Sequence, residues 1–297
     1  MNFARALYKP VGISSSDVVI KCRNALSKAV GKKIKCGHMG TLDPAAEGVL
    51  VLGFGKATKL FDYMQSGKKS YVATFTFGLT TDTLDREGVV TKQDGILPQK
   101  SALLDVLHSF IGETEQIPPA YSAVSVNGVK AYKLARNGKE TVLAAKKVKI
   151  YSLTMKDCVE DESGKVSEAR FEIVCGSGTY IRSLCRDIAE KLGCLAYMTA
   201  LTRTSCGGYT VGDCVDMADF VADPVSYVVP DGEIVSKLLP VRTVSDETAK
   251  RLRFGQTLRC GYDDGRYGIE CNGEILGIAL VKDANIKLET HLWNTTE

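Results

Sequence analysis

The segment Gly37-His38-Met39-Gly40-Thr41-Leu42-Asp43-Pro44-Ala45-Ala46-Glu47-Gly48 frames one imidazole and one aspartate with three glycines. Glycine admits positive φ and lets a ligand approach the backbone closely. Pro44 pushes Asp43 toward an extended conformation that ends any preceding helix. A carboxylate in such a loop can act as nucleophile or as base. On this stretch alone the commoner meaning of Asp-Pro-Ala-Ala is a helix N-cap with proline at the first helical position. Farther along, Arg182 falls in the first turn of a helix read from about Thr179. The helix dipole disfavours a cation there, so an anionic group is expected opposite it. His38, set between Gly37 and Met39-Gly40, is poorly placed for a core and is expected to be exposed. Tyr71 by itself reads as an edge aromatic covering the core, and Leu201 by itself as core.

The elements that must position these groups show in the periodicity. Ser14-Ser15-Ser16-Asp17 is an N-cap signal, followed by Val18, Cys22, Ala25, Leu26 and Ala29 at helical spacing. Gly48 to Gly55 reads as a buried strand and Ala57 to Met64 as a short helix. Tyr71, Ala73, Phe75 and Phe77 alternate as a strand with one buried face. Leu103 to Ile111 reads as an amphipathic helix, and Asn127-Gly128 as a tight turn. Phe171, Ile173 and Cys175 end a strand at Gly176-Ser177-Gly178. The helix after it carries Ile181, Leu184, Cys185, Ile188 and Leu192 and is closed by Gly193. Past a weakly patterned stretch around Asp223 to Pro240, four short strands follow, with Asn272-Gly273 as a hairpin turn. Strands and helices mix without regular βαβ alternation, so the class is α+β, with a mixed, mostly antiparallel central sheet and flanking helices. The expected division is a catalytic domain over 1–230 and a small all-β domain over 235–297.

The chain has 297 residues, 44% hydrophobic and 25% charged, which fits a globular protein. No apolar run is long enough to span a membrane and the N-terminus carries no secretion signal, so a cytoplasmic location is expected. The ten cysteines are scattered singly with no C-x-x-C pair, and there are three histidines, so no metal centre is expected. The net charge of +3 says less than its distribution. Val18 to Leu42 holds Lys21, Arg23, Lys28, Lys32, Lys33 and Lys35 and no acid. Lys130, Lys133, Arg136, Lys139, Lys146, Lys147 and Lys149 form a second cluster interrupted only by Glu140. Each cluster alone reads as a solvated face; the two together favour RNA or DNA as partner.

Further segments accompany the glycine loop: Lys9-Pro10-Val11-Gly12-Ile13-Ser14-Ser15, Gly55-Lys56-Ala57-Thr58-Lys59, Lys69-Ser70-Tyr71, Thr80-Thr81-Asp82-Thr83-Leu84-Asp85, Ile117-Pro118-Pro119-Ala120-Tyr121-Ser122-Ala123, Gly176-Ser177-Gly178-Thr179-Tyr180-Ile181-Arg182-Ser183-Leu184, and Leu201-Thr202-Arg203. Together, in this order, they resemble the TruB class of bacterial tRNA pseudouridine synthases over roughly residues 5 to 210. The tail resembles, more weakly, that class's small PUA-like RNA-binding domain. Met39 and Thr41 stand where the class has Thr and Ala, which touches the fine geometry of the loop and not its carboxylate.

The resemblance implies the pseudouridine synthase fold and conversion of uridine to pseudouridine in the TΨC arm of tRNA, at position 55. No cofactor and no obligatory protein partner are implied, and a stand-alone monomer is expected. It implies Asp43 as the catalytic carboxylate, acting on C1′ as nucleophile or as the base of a glycal route, with Arg182 as its ion-pair partner. Tyr71 would stack on the target base and serve in proton transfer. Tyr180 and Leu201 would line the uracil pocket, and His38 would help extrude the base. Lys59 and Arg203 would be phosphate or structural contacts. The competing reading is a non-catalytic RNA-binding or RNA-folding protein on the same scaffold. Retention of Asp43, Tyr71 and Arg182 together argues against it. A glycosidase is disfavoured because such enzymes flank the scissile bond with two acids.

Overall fold

Caps and apolar runs set most element boundaries in the computed structural model, which describes residues 2–65, 67–126, 128–138 and 143–293. The chain begins with β1 (Phe3–Lys9), α1 (Ser15–Ala29), β2 (Cys36–Met39), β3 (Glu47–Phe54) and, after a 3-10 turn over Gly55–Leu60, α2 (Phe61–Gln65). It continues through β4 (Lys69–Phe77), β5 (Leu79–Thr81), β6 (Val90–Gln93), α3 (Lys100–His108), β7 (Gly112–Gln116), β8 (Ser125–Val126), β9 (Val129–Lys130), α4 (Ala131–Arg136), β10 (Lys146–Glu160), β11 (Val166–Cys175), α5 (Ile181–Lys191) and β12 (Ala196–Cys206). It closes with β13 (Tyr209–Thr210), β14 (Val215–Asp216), α6 (Met217–Ala222), α7 (Asp231–Leu238), β15 (Val241–Thr243), α8 (Asp246–Arg253), β16 (Leu258–Arg259), β17 (Gly265–Cys271), β18 (Glu274–Lys282) and β19 (Asn285–His291). Among the described residues no helix is long and apolar enough to cross a membrane.

Two compact units result: Met1–Asp43 with Gly48–Gly67 and Cys206–Glu297, and Pro44–Glu47 with Lys68–Ser205. In the first unit β3 lies between β1 and β2, antiparallel to both, and β14 adds to β1 in parallel. The nearly unbroken apolar run of β3 has a simple cause: both its faces are buried. Val49 and Val51 join one core with Ala4 and Ala6, while Leu50, Leu52 and Phe54 join another with Phe3 and Leu7. α1 begins where its cap predicts, with the Ser14 hydroxyl accepting from the Asp17 amide, and lays Val18, Cys22 and Leu26 on the second core.

The C-terminal strands make a separate sheet of order β15-β17-β18-β19-β16, turned at Asn272-Gly273 with both residues at positive φ. α8 covers one face through Ala249 and Leu252. The division into units nonetheless differs from a cut near residue 230. Ile275 and Ile278 of β18 and Val235 of α7 belong to the same apolar cluster as Ala4, Ala6, Val49 and Val51. Shared burial ties the small sheet to the N-terminal strands.

The second unit has strand order β12-β4-β11-β10-β7, with β4, β11, β10 and β7 successively antiparallel. α5 buries Ile181, Leu184, Cys185 and Ile188, and Gly193 follows it at positive φ. The basic residues Lys146, Lys147 and Lys149 lie on β10, where Lys147 and Lys149 are exposed and Val148 and Ile150 buried. The turn expected at Asn127-Gly128 has Asn127 outside the described residues, but β8 and β9 pair across it with Val126 opposite Val129. Lys139 and Glu140 also lie outside them.

Candidate active site

The N-terminus of α5 is stitched in place by side chains that bond to backbone. The amide of Tyr180, the residue before the helix, donates to Gln116 Oε1 at 2.8 Å. The Ser183 hydroxyl donates to the Ile117 carbonyl at 2.8 Å, and Arg186 Nη2 donates to the same oxygen at 2.9 Å. These bonds fix α5 to the end of β7 and so aim its second residue, Arg182.

Arg182 is 5% exposed, and its guanidinium is deeply engaged. Nη1 donates to the Thr83 carbonyl at 2.9 Å and Nη2 to the Tyr121 carbonyl at 3.0 Å, while Nε lies 3.6 Å from Asp85 Oδ2. The anionic group that the helix dipole argument demands is present, and within this unit it is Asp85. That carboxylate is bonded on its other side as well: the Thr83 hydroxyl donates to Oδ1 at 2.6 Å and the Glu87 amide at 3.1 Å.

The loop from Thr80 to Gly88 is built around this pair. The Thr81 hydroxyl donates to the Asp85 carbonyl at 2.7 Å, and the Met198 amide of β12 donates to the Leu84 carbonyl at 3.0 Å. Leu84 sits at φ +61°, a left-handed conformation that side chains other than glycine and asparagine seldom adopt. A Cβ at Gly88 would come within 2.4 Å of Asp82 Oδ1, so this position requires glycine. Asp82 accepts from the Val89 amide at 2.8 Å and from the Tyr121 hydroxyl at 3.2 Å. Burial, reinforced by the Asp82 carboxylate, pushes the Tyr121 phenol above its ordinary value.

Tyr71 is buried on β4, an interior strand flanked by β12 and β11, and its register partner is Ile173. It is therefore not an edge aromatic. On the same face of β4, Lys69 reaches Ser177 Oγ at 3.4 Å, next to the Gly178 turn that leads to Tyr180. Tyr180 is half-buried, and Leu201 is buried on β12.

In the first unit the Asp43 loop is held through its backbone. The Ser15 hydroxyl accepts from the Leu42 amide and donates to the Leu42 carbonyl, both at 2.8 Å. The residue before Asp43 is thus clamped to the start of α1. Lys9 is wholly buried, and its ammonium donates to the carbonyls of Pro10 at 2.9 Å and Ile13 at 2.7 Å, bracing the turn that precedes α1. Met39 is core, packed with Met64 and Cys206, so its departure from the class pattern is an internal packing choice. Asp43 caps no helix: Pro44 and Ala45 form a turn and β3 begins at Glu47. His38 is half-buried on β2, opposite Leu52 of β3, where it was expected to be exposed.

Lys59 is exposed and its ammonium lies 3.5 Å from the His291 carbonyl. Arg203 is 1% exposed, so of the two roles expected for it, phosphate or structural contact, its burial fits the structural one. Of the first basic cluster, Arg23, Lys28, Lys32 and Lys33 rim a surface hollow at the C-terminal end of α1. Among the described residues no cluster of His, Cys, Asp and Glu could hold a metal ion. The residues that spacing alone does not expose are Asp85, Gln116 and Ser15. Asp85 and Ser15 stand in the quoted segments, but their partners lie far off in sequence.

Comparison with known proteins matches residues 27–181 to the profile for TruB family pseudouridylate synthase (N terminal domain), and residues 182–243 to that for tRNA pseudouridylate synthase B C-terminal domain. A tRNA pseudouridine synthase B of Clostridium kluyveri is 38% identical over 94% of this chain and 96% of its own. One from Bacillus licheniformis is 37% identical over 86% and 83%. Among solved structures, a chain of an H/ACA RNP bound to a substrate RNA containing 2'-deoxyuridine superposes with TM-score 0.69 at 20% identity, over 99% of this chain and 86% of that one. A chain of a Cbf5-Nop10-Gar1 complex gives 0.69 at 22% identity, over 97% and 84%. These two establish the fold alone. With profiles and full-length relatives in agreement, the chain belongs to the TruB family of pseudouridylate synthases.

Proposed function

We propose that this protein isomerises uridine to pseudouridine in the TΨC loop of tRNA, at position 55, with Asp43 as the catalytic carboxylate. The observation that carries the reading is full-length similarity to proteins named tRNA pseudouridine synthase B, in a chain that keeps Asp43, Tyr71 and Arg182. The reaction breaks the N1–C1′ bond, turns the uracil over and joins C5 to C1′. The C5 proton leaves to solvent and N1 ends protonated, so the change is redox-neutral. Asp43 either attacks C1′ or removes a sugar proton to open a glycal route. A base read this way must leave the helix stack and meet an apolar pocket with a stacking surface. Tyr71, Tyr180 and Leu201 supply such surfaces, and His38 assists extrusion. Residues 1–230 then form the catalytic part and 235–297 an accessory RNA-binding module, the protein acting on tRNA as a monomer. The backbone of Leu42 beside Asp43 is held by a buried hydrogen bond and Arg182 by a part-buried one to Thr83, as a preorganised site requires.

The test is tritium release from in-vitro-transcribed tRNA labelled at uridine C5, for wild type and Asp43→Asn. Wild type is expected to release close to one equivalent per tRNA and the variant none, with tRNA binding retained by both. No release by wild type that still binds tRNA would overturn the isomerase reading in favour of a non-catalytic RNA-binding protein.

A further inference from the structure

Tyr151 on β10 carries two lysines over one ring. Lys68 Nζ lies 4.5 Å from the ring centroid and Lys149 Nζ 5.4 Å. The two ammonium groups therefore sit within about 10 Å of each other, roughly a Debye length at 0.1 M salt. Both lysines are exposed, and among the described residues no carboxylate forms an ion pair with either. Like charges gathered around one aromatic ring, without a carboxylate to offset them, leave a local positive potential that an anion would relieve. Lys147 continues the same exposed face of β10.

The cluster is tied to the candidate site. The Gly176 amide donates to the Lys149 carbonyl at 2.8 Å, and a Cβ at Gly176 would stand 3.9 Å from the Tyr151 ring. Gly176 opens the Gly176–Gly178 loop that leads into Tyr180 and Arg182. Register along the sheet places Ile150 opposite Cys175, Cys175 opposite Lys69, and Ile173 opposite Tyr71.

We infer that Lys68, Lys149 and Tyr151 form a binding site for the RNA sugar-phosphate backbone, taking the phosphates of the strand adjacent to the target nucleotide. The inference rests on the RNA reading above and adds a backbone subsite to it. Such contacts fix register without reading sequence. Tyr151 fixes where the two ammonium groups stand; the lysines supply the charge.

The experiment measures equilibrium binding across a KCl series, using unmodified tRNA transcript and a stem-loop whose loop uridines are replaced by cytidine. The proteins are wild type, the double variant Lys68→Ala/Lys149→Ala, Tyr151→Phe and Tyr151→Leu. The double variant is expected to lower the slope of log K against log salt by about 1.4 to 1.8 on both RNAs, the share of two phosphates. It binds roughly tenfold more weakly at low salt, with turnover at saturating tRNA unchanged. Tyr151→Phe keeps the ring and the wild-type slope, while Tyr151→Leu reproduces part of the loss. An unchanged slope on both RNAs overturns the inference, as does a loss confined to the uridine-bearing RNA. The cytidine stem-loop keeps the two readings separable: the slope can be read on it even if wild type releases no tritium.

Discussion

Two loops, one in each unit, carry Asp43 and Asp85, and the hydrogen bonds described for them differ in kind. The loop ending at Asp43 is fixed through main chain: Ser15 clamps both polar groups of Leu42, and a turn at Pro44 and Ala45 leads directly into β3. The loop ending at Asp85 is fixed through the carboxylate itself, which takes hydrogen bonds from Thr83 and Glu87 and faces Arg182. A carboxylate so committed serves to position; Arg182 and the start of α5 depend on it. In the Asp43 loop the Ser15 hydroxyl anchors the main chain one residue before the acid. The difference assigns separate consequences to loss of each acid.

The sharpest break is Asp43→Asn. Turnover should fall below about one thousandth of wild type, roughly 4 kcal/mol of transition-state stabilisation, while the melting temperature stays put. Single-turnover kinetics beside a thermal melt would check it; a fall in melting temperature matching the fall in rate would give Asp43 the structural role. Asp85→Ala should do the reverse in kind. It removes the carboxylate 3.6 Å from the buried Arg182 guanidinium and should destabilise the fold by about 3–5 kcal/mol, read by urea unfolding. Asp85→Asn, which keeps the shape and some hydrogen bonds, should recover part of that loss. Equal stability of Asp85→Ala and wild type would remove the positioning role.

Ser15→Ala sharpens the same contrast at smaller scale. It removes the clamp on Leu42 and leaves buried backbone groups unsatisfied, a loss of about 1–3 kcal/mol. Because the clamp sits one residue from Asp43, the maximal rate should drop while tRNA affinity holds. An effect on affinity alone would say that the clamp shapes the RNA surface instead.

Legibility divides along the same line. α1, β3, β4, α5 and the C-terminal hairpin are readable because each is specified locally, by a cap, a period or a turn dipeptide. The long strands β10 and β12 are not. β10 carries lysines at alternate positions and is broken by bulges near Ser152 and Asp157, while β12 reads Thr-Ala-Leu-Thr-Arg-Thr-Ser, too polar to announce burial. Both are strands because of distant partners. The site shows the same pattern: Asp43, Tyr71 and Arg182 stand out in short segments, whereas Asp85 acquires its role only from Arg182, nearly a hundred residues on. Asp-Pro-Ala-Ala also shows the reverse failure, a good local cap signal followed by no helix, because the buried pairing of β3 takes the chain first.

The smallest expected effect concerns thiols on either side of this comparison. Burial pushes Cys22 and Cys36, on α1 and β2, which precede the Asp43 loop, up to about 12. Cys175 and Cys194, at the end of β11 and after α5, go up to about 11 for the same reason, with a Thr179 hydrogen bond opposing it at Cys175. In every case the folded state holds the proton more tightly than the unfolded chain, whose thiols titrate near 9. The contribution to stability is therefore complete below about pH 9 and is lost as pH rises from there toward 12. At pH 8 each of the four should alkylate roughly a hundredfold or more slowly than in urea-unfolded protein, since the thiolate is the reacting form. Residue-resolved mass spectrometry after iodoacetamide pulses would test this. Fast labelling of Cys175 in folded protein would show that the β11 end, and with it the Gly176–Gly178 loop, opens far more readily than the Asp43 side.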